Sequence, residues 1–590
     1  MKNTKSSIRR LLIERSRRGL TRSWSLRAAC AALACALALS GCAGWGDLAA
    51  EPPPEPTPLV VEDESKNPVP GGALIVGIPQ NVQSFDPLLV NTKELKNLLS
   101  LVYEPLLTYD SAERLSSCLA ETWNTHDGGV TWVVSLRKGV TWHGESDFFT
   151  ARDVLYTYEL LKSEGYEHSP YRKQVESIAS IEATDEYGLV VTGTNPGMSA
   201  LYALTFPIVS RDHFMKNKGT GPYVLTAANP AAGVLLTVSP NWWKKPPFIQ
   251  NVLAKTMEEG TTALSLLQIR EINFAPSTSV TATSYREENV VNIYEAYSQH
   301  AELLYINHNA WRLQNPSVRQ AIAYALDRRE IISRCYYNHA VAVDVPIPPD
   351  SWLYDSASKV YDTNMTKAKE LLEDAGWMDY DGDGIRELRE EGGISKLKLT
   401  LLVNDTPDNL IRKDVALLIK SQLAQVGIEI EVVSAPWNEG VNDYLTALMA
   451  GGFDLALAGI NLDRSPDLSA LLSSDGERNY GRYSSEAMDK LVNKVNASAS
   501  EKELKANMAA LAEAFTQDLP FVMLYFRTYS IAYSAELTIS TDIRDTDLYR
   551  SVEKWHLSKA GRSMFNAEGV ALSGLHDLPV PKPAATPEQE

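Results

Sequence analysis

One stretch of the chain, residues 396–435, restricts the fold more than any other. Lys396–Val403 and Ile428–Ser434 are both predicted to be strands. Between them, Asp408–Val426 is predicted to be an amphipathic helix that stops at Gly427. Two strands joined by a helix form a right-handed crossover and are parallel. The chain is therefore predicted to contain an α/β sheet covered by helices, and ligands of such sheets favour the carboxyl ends of the strands.

The flanking segments extend this α/β pattern. Apolar and polar residues alternate over 132–136, which is typical of a half-buried strand. Thr150 and Asp153 form a Thr-x-x-Asp capping pattern, which predicts that a helix begins there. A further helix is predicted after Pro316, and a further strand at Phe453–Ile460. The fold class predicted from these patterns is α/β.

Short motifs in a fixed order connect the chain to a known family. It resembles the extracytoplasmic solute-binding lipoproteins of the peptide and oligopeptide (family 5) class of ABC importers, over roughly Gly71 to Trp555. No single motif is specific, but together they span some 230 residues in the expected order. The motifs are Leu119–Trp123, Leu136–His143 with Thr150–Val154, Gly219–Tyr223, Pro240–Trp243, Val318–Ile322 and Pro346–Trp352.

This resemblance implies a two-lobed clamshell of the periplasmic-binding-protein kind, with an additional small inserted domain. The ligand would be enclosed between the lobes by hinge closure, and the closed form would be presented to a membrane permease. The implied segments are 71–110, 206–301 and 524–562 for lobe 1, 111–205 for the inserted domain, and 302–523 for lobe 2.

The resemblance also suggests where a ligand would bind. In the family, the strand that matches Phe453–Ile460 leads into a loop whose aspartate pairs with the ammonium group of a peptide. Asp463 occupies that place, and its other interpretation is a turn or helix-cap aspartate. Ile460 stands where the family usually has tryptophan, so an aromatic wall of the ligand site is missing.

Three other residues are candidates for the wall of the cleft. Trp437 follows the second strand of the crossover, at a place that commonly lines a cleft, although a core role is the more common outcome for a tryptophan. Tyr305 and Asn307 alternate with Asn309 on the segment that should cross between the lobes. Their shared face either looks into the cleft or packs against the core.

A calcium loop is a further possibility. Asp379, Asp381, Asp383 and Glu390 fit the spacing D-x-D-x-D-G-x5-E, which supplies the oxygen ligands that a hard cation needs. Arg386 stands where such a loop usually has an apolar residue, which counts against an EF-hand. The other interpretation is an exposed acidic turn before the next strand. No other cofactor is expected.

The two ends of the chain are predicted to lie outside the folded body. Residues 1–41 have the basic and then apolar layout of a lipoprotein signal peptide, and Cys42 would be lipidated after cleavage. Export by the Sec or the twin-arginine route stays open. Residues 42–70 are predicted to be a lipid anchor and disordered linker, and residues 563–590 a disordered tail.

Charge and motifs exclude several classes of function. Residues 1–41 hold nine of the 56 basic residues and one of the 74 acidic residues, so the mature chain has a net charge of −26. Such a surface disfavours nucleic acid and leaves the lipid anchor as the expected contact with a membrane. The nine histidines show no metal-site spacing, and no nucleophile elbow, P-loop or dinucleotide motif occurs. The protein is therefore not expected to be an enzyme.

Together these features predict a monomeric, extracytoplasmic, lipid-anchored binding protein of an ABC transporter. It would capture oligopeptides or dipeptides and deliver them to a permease with its ATPase subunits. Two alternatives stay open. The same fold could bind a nickel chelate or an oligosaccharide, or it could serve as a surface sensor or adhesin without import.

Overall fold

The structure is a computed structural model that describes residues 67–566, except 81, 83, 230–232, 406–409 and 438–442, and except the side chain of residue 215. The predicted signal peptide, Cys42 and most of the predicted linker and tail lie outside the described residues. Among the described residues, no helix is both long and apolar enough to cross a membrane. Cys118 and Cys335 are separate buried thiols.

One large mixed sheet forms the centre of the described body. Its strands follow the order β17-β16-β18-β12-β19-β11-β1-β10-β9-β8, and β13 adds to β19. The strands are β1 Ala73–Ile78, β8 Tyr223–Asn229, β9 Gly233–Val238, β10 Asn251–Thr256, β11 Phe274–Ser277, β12 Val291–Ile306, β13 Ala340–Ala342, β16 Lys398–Asn404, β17 Glu429–Ala435, β18 Leu455–Asn461 and β19 Phe521–Ser534.

Two long antiparallel strands, β12 and β19, connect the two lobes. The first half of β12 pairs with β19 alone, whereas the segment from His300 to Ile306 also pairs with β18. The pairing of β12 with β19 shifts register between Tyr297 and Ala301, and again between Glu302 and Leu303. Such irregularities bend a strand locally. The predicted lobe boundary at 301/302 lies at these irregularities and stays a prediction.

The predicted crossover is present in the lobe that contains β16, β17 and β18. Strands β16 and β17 are parallel, with Leu399 opposite Ile430, and α9 (Leu410–Ala424) connects them. The first strand begins later than predicted, because residues 393–396 form the second strand of a hairpin. In this hairpin, β14 Glu387–Glu390 pairs with β15 Gly393–Lys396.

The predicted inserted domain contains a separate sheet with the order β4-β5-β7-β6. Its strands are β4 Ala120–Asn124, β5 Thr131–Leu136, β6 Ile178–Asp185 and β7 Gly188–Gly193. Trp132, Val134 and Leu136 are buried while the residues between them are exposed, as the alternation predicts. Helix α2 (Ala151–Lys162) begins with the predicted cap, in which the Thr150 N–H donates to the Asp153 carboxylate at 2.9 Å.

The remaining elements cover these sheets. The other strands are the hairpins β2 Leu107–Tyr109 with β3 Leu115–Ser117, and β20 Leu537–Thr538 with β21 His556–Leu557. The other helices are α1 Lys93–Ser100, α3 Arg172–Val175, α4 Ser199–Ala203, α5 Ala263–Gln268, α6 Pro316–Ala325, α7 Arg328–Cys335, α8 Met365–Asp374, α10 Tyr444–Ala450, α11 Ser469–Leu472, α12 Glu486–Asn496, α13 Glu501–Asp518 and α14 Lys559–Met564.

The folded body extends beyond the predicted start of the tail at residue 563. Helix α14 continues to Met564, and the side chain of Phe565 is buried. The Phe565 carbonyl accepts a hydrogen bond of 2.7 Å from the Ala73 N–H, at the start of β1. Residues 563–565 therefore anchor the end of the body, and the prediction of a tail from 563 placed its start too early.

Candidate functional site

A cavity of about 1360 Å³ lies between the part of the chain before β12 and the loops that follow β18. It exceeds the roughly 300–1,000 Å³ of usual small-molecule pockets. Its lining mixes aromatic, apolar and charged side chains. They include Lys96, Tyr103, Glu104, Tyr109, Tyr171 and Trp242 on one side, and Asp463, Arg464, Leu468, Arg478 and Leu504 on the other.

Asp463 lies on the wall of this cavity. Strand β18 ends at Asn461, so Asp463 is at the carboxyl end of a parallel strand, as the fold predicts for ligand-binding residues. Its side chain is exposed, and it makes no ion pair with any described residue. The N-cap residue of helix α11 is Leu468, and the Ser469 N–H donates to the carboxylate of Asp467 at 2.8 Å, so Asp463 does not cap this helix. Asp463 therefore remains available to a ligand.

The next residue, Arg464, joins the two sides of the cavity. Its Nε donates to the Glu113 carboxylate at 2.8 Å, and its guanidinium lies 3.7 Å from the centroid of the Tyr109 ring. Burial raises the pKa of Tyr109 to about 12, although Arg464 opposes that shift, so the hydroxyl stays neutral. Nη2 of Arg464 is buried and has no hydrogen-bond partner among the described residues.

Two further contacts connect the two sides at the rim. Lys173 and Glu477 form an ion pair of 2.6 Å. Gly197 lies so close to helix α12 that an added Cβ would stand 2.1 Å from the Asn496 carbonyl oxygen. Only glycine fits this backbone approach, which also has a φ of +109°. The cavity is therefore bordered by direct contacts between its two walls.

One end of the cavity contains a buried carboxyl, Glu104. It accepts hydrogen bonds from the indole N–H groups of Trp242 at 3.3 Å and Trp243 at 2.7 Å, and from the Thr220 hydroxyl at 3.0 Å. Burial raises its pKa, and the indole and hydroxyl donors and nearby Lys244 only partly oppose this shift. Trp242 and Trp243 belong to the Pro240–Trp243 family motif, but neither a place in the cavity nor a role for Glu104 was predicted from the sequence.

Tyr305 and Asn307 are part of the core and do not line the cavity. Tyr305 is 1% exposed, packs against Tyr480 and Phe521, and donates to the Arg478 carbonyl at 3.0 Å. The amide of Asn307 is buried and donates to backbone carbonyls of the loop before β18. Of the two interpretations that the sequence left open for this face, the structure supports packing against the core, because this end of β12 lies inside its own lobe.

Ile460 and Trp437 are also absent from the described lining of the cavity. Ile460 pairs with Ala301 across β18 and β12 and packs, half-buried, against the core. Trp437 is 45% exposed and stacks on Tyr444 with 5.6 Å between the ring centroids. The five residues after Trp437 lie outside the described part of the chain. The prediction of a ligand contact for these two side chains gains no support.

The acidic turn brings together only two of the four predicted calcium ligands, Asp379 and Asp381, and adds Glu387. Asp379, Asp381 and Glu387 bring carboxylate oxygens within 4.8 Å of one another, whereas Glu390 lies exposed in the hairpin. The ammonium of Lys396 enters this group, 3.2 Å from Asp381 and in direct contact with Asp383. The hydrogen bond to Asp383 raises the pKa of Lys396. The Lys396 ammonium thus offsets part of the negative charge of the group, and calcium binding stays a prediction.

Comparison with known proteins gives the family. The model for "Bacterial extracellular solute-binding proteins, family 5 Middle" matches residues 114–482, and the chain belongs to this family. A curated relative is the oligopeptide-binding protein AppA of Bacillus subtilis (strain 168), 26% identical over 514 residues that cover 83% of this chain and 92% of AppA.

Solved structures agree on the fold. AppA from Bacillus subtilis in complex with a nonapeptide matches 83% of this chain and 100% of its own, with 24% identity and a TM-score of 0.58. NikZ from Campylobacter jejuni in complex with Ni(L-His) matches 83% of this chain and 100% of its own, with 20% identity and a TM-score of 0.60. The two-lobed architecture that the resemblance implied is confirmed.

Proposed function

We propose that this protein captures peptides in the cavity between its lobes and delivers them to an ABC permease. The observation that carries the proposal is the cavity itself. It is larger than a usual small-molecule pocket, and both polar and apolar groups line it. A peptide needs such a mixture, because its main chain requires hydrogen-bonding partners while its side chains vary. The similarity to AppA, named as oligopeptide-binding, supports the same ligand class.

Asp463 supplies the specific contact in this proposal. Its carboxylate is exposed on the cavity wall without a described cation, so it can accept the ammonium group at the start of a peptide. Closure of the lobes would remove water from this ion pair and strengthen it. Arg464 is paired with Glu113, so it does not compete with the ammonium group for the Asp463 carboxylate.

The proposal includes a membrane anchor. Leu39 to Cys42 ends the apolar segment 28–41, which is the layout that precedes a lipidated cysteine. The linker that follows would keep the body within reach of a permease in the same membrane. Fatty-acid labelling of cells that express the full chain tests this point: the label should be lost in Cys42→Ala, and an equally labelled variant would contradict the anchor.

Ligands that co-purify with the protein test the proposed function. We expect native mass spectrometry of the protein, isolated without denaturation, to show a mixture of bound peptides that is released on unfolding. A metal chelate, haem or oligosaccharide as the sole bound species would contradict the peptide assignment and favour the other solutes that this fold accommodates.

A further inference from the structure

Several cations line the cavity, and Lys96 is one of those that form no ion pair with a described carboxylate. Lys96 lines the cavity from helix α1 and is half-buried. One turn earlier, Lys93 pairs with Asp545 at 2.8 Å, and at the rim Lys173 pairs with Glu477 at 2.6 Å. No described carboxylate lies within 4.0 Å of the Lys96 ammonium. Lys96 is therefore a cation of the binding cavity whose charge the described residues leave uncompensated.

The surroundings of Lys96 hold the side chain but do not neutralise it. Its ammonium lies 5.4 Å from the centroid of the Tyr171 ring, within the range of a cation–π contact. Burial lowers the pKa of Lys96, and no charged neighbour opposes this effect. Partial burial costs the unpaired ammonium part of its hydration free energy. A carboxylate brought in by a ligand would offset this cost by forming an ion pair with it.

We infer that Lys96 binds a carboxylate of the captured ligand and thereby determines specificity for acidic or free-acid peptides. This inference rests on the proposed function. It gives the cavity two opposite charges on its wall, Asp463 for an ammonium group and Lys96 for a carboxylate. The carboxylate comes from the C-terminus of the peptide or from an acidic side chain.

Calorimetric titration of the mature protein separates these two sources. The probe is the tightest binder from a pool of short synthetic peptides, prepared as the free acid, as the C-terminal amide, and with each Glu replaced by Gln. We expect Lys96→Met to weaken the form with the recognised carboxylate roughly 10- to 100-fold, the worth of a charged hydrogen bond. The substitution should not change the affinity for the peptide form in which that carboxylate has been replaced by a neutral group. Lys96→Arg should retain most of the affinity.

Lys369→Met is the matched control, because Lys369 is an exposed lysine on helix α8 away from the cavity. Thermal melting shows whether each variant is folded. The inference would be overturned if Lys96→Met bound every peptide form with wild-type affinity. It would also be overturned if the variant lost the same affinity for all forms. Either result would leave the proposed function intact. Failure of the wild-type protein to bind any peptide would instead overturn the proposed function, and the inference with it.

Discussion

Two buried arginine–glutamate pairs of this protein differ in completeness. In the first, Arg412 of helix α9 donates through Nε and Nη2 to both carboxylate oxygens of Glu302, at 2.9 and 3.0 Å. In the second, Arg464 reaches Glu113 across the cavity through Nε alone, and its Nη2 has no hydrogen-bond partner in the described part. The first pair lies in the sheet where β12 changes lobe, and the second lies between the two walls.

This difference indicates different tasks. A bidentate pair with both partners buried is costly to break, because each group would be left charged and desolvated. The Glu302 pair is therefore suited to a permanent joint within one lobe. The Arg464 contact is incomplete, and Glu113 also has Arg550 at 3.3 Å, so Glu113 keeps a partner when Arg464 leaves. A contact of this kind can form and break as the lobes close and open.

The largest expected effect is a loss of stability when the Glu302–Arg412 pair is broken. We expect Glu302→Gln to lower the free energy of unfolding by about 3–5 kcal/mol, because Arg412 would remain buried without a counter-charge. Urea denaturation measures this loss. Glu431→Gln, on the exposed side of β17, is the control and should change stability by less than about 0.5 kcal/mol. A similarly small change for Glu302→Gln would contradict the permanent role of this pair.

The Glu302–Arg412 pair should also make the free energy of unfolding depend on pH in the acidic range. Burial alone would raise the pKa of Glu302, but Arg412 and His300 outweigh burial and lower the pKa to about 2, from an ordinary value of 4.5. A lowered carboxyl pKa stabilises the fold above the unfolded-state pKa, and this contribution is lost as the pH falls through the folded-state pKa. As the pH falls from 4.5 to 2, the free energy of unfolding should therefore lose about 3 kcal/mol of the contribution from Glu302.

Urea denaturation at a series of pH values tests this expectation. The difference in stability between the wild-type protein and Glu302→Gln should shrink steadily across that interval. A difference that stays constant down to pH 2 would show that the Glu302 carboxyl does not titrate there, and would contradict the lowered pKa.

The cross-cavity pair should show the smallest effect on stability. We expect Arg464→Met to lower the free energy of unfolding by about 1.5 kcal/mol, less than Glu302→Gln does, because one charged hydrogen bond is lost while Glu113 keeps Arg550. Its main effect should be on ligand binding, because the closed form loses a contact between its walls. Arg464→Lys is the control that keeps the charge. A destabilisation of the unliganded protein as large as that of Glu302→Gln would remove the distinction between the two pairs.

The sequence predicted local elements well and the cavity wall poorly. The crossover around α9 and the cap of α2 follow from periodicity and capping, which depend on residues close in the chain. The environment of Tyr305 stayed open between cleft and core, because strand alternation does not tell which face is turned to a core and which to a cleft.

The cross-cavity contacts could not be predicted for a related reason. Arg464 and Glu113 are 351 residues apart in the chain, and nothing local in either segment indicates the partner. That Lys96 lines the cavity without an ion pair to a described carboxylate is likewise a property of the folded arrangement. Asp463 was identified through the family resemblance, and neither its spacing nor its local pattern separated it from Asp467.

The central claim is that a peptide binds between the lobes with its ammonium group on Asp463. Calorimetric titration of Asp463→Asn with one peptide, as the free amine and as the N-acetylated form, tests it most directly. We expect the variant to bind the free amine with about 1.5–3 kcal/mol less free energy than the wild-type protein. The two proteins should bind the N-acetylated form alike. Asp475→Asn, an exposed aspartate of the same cavity, should behave as wild type. Wild-type affinity of Asp463→Asn for the free amine would contradict the claim.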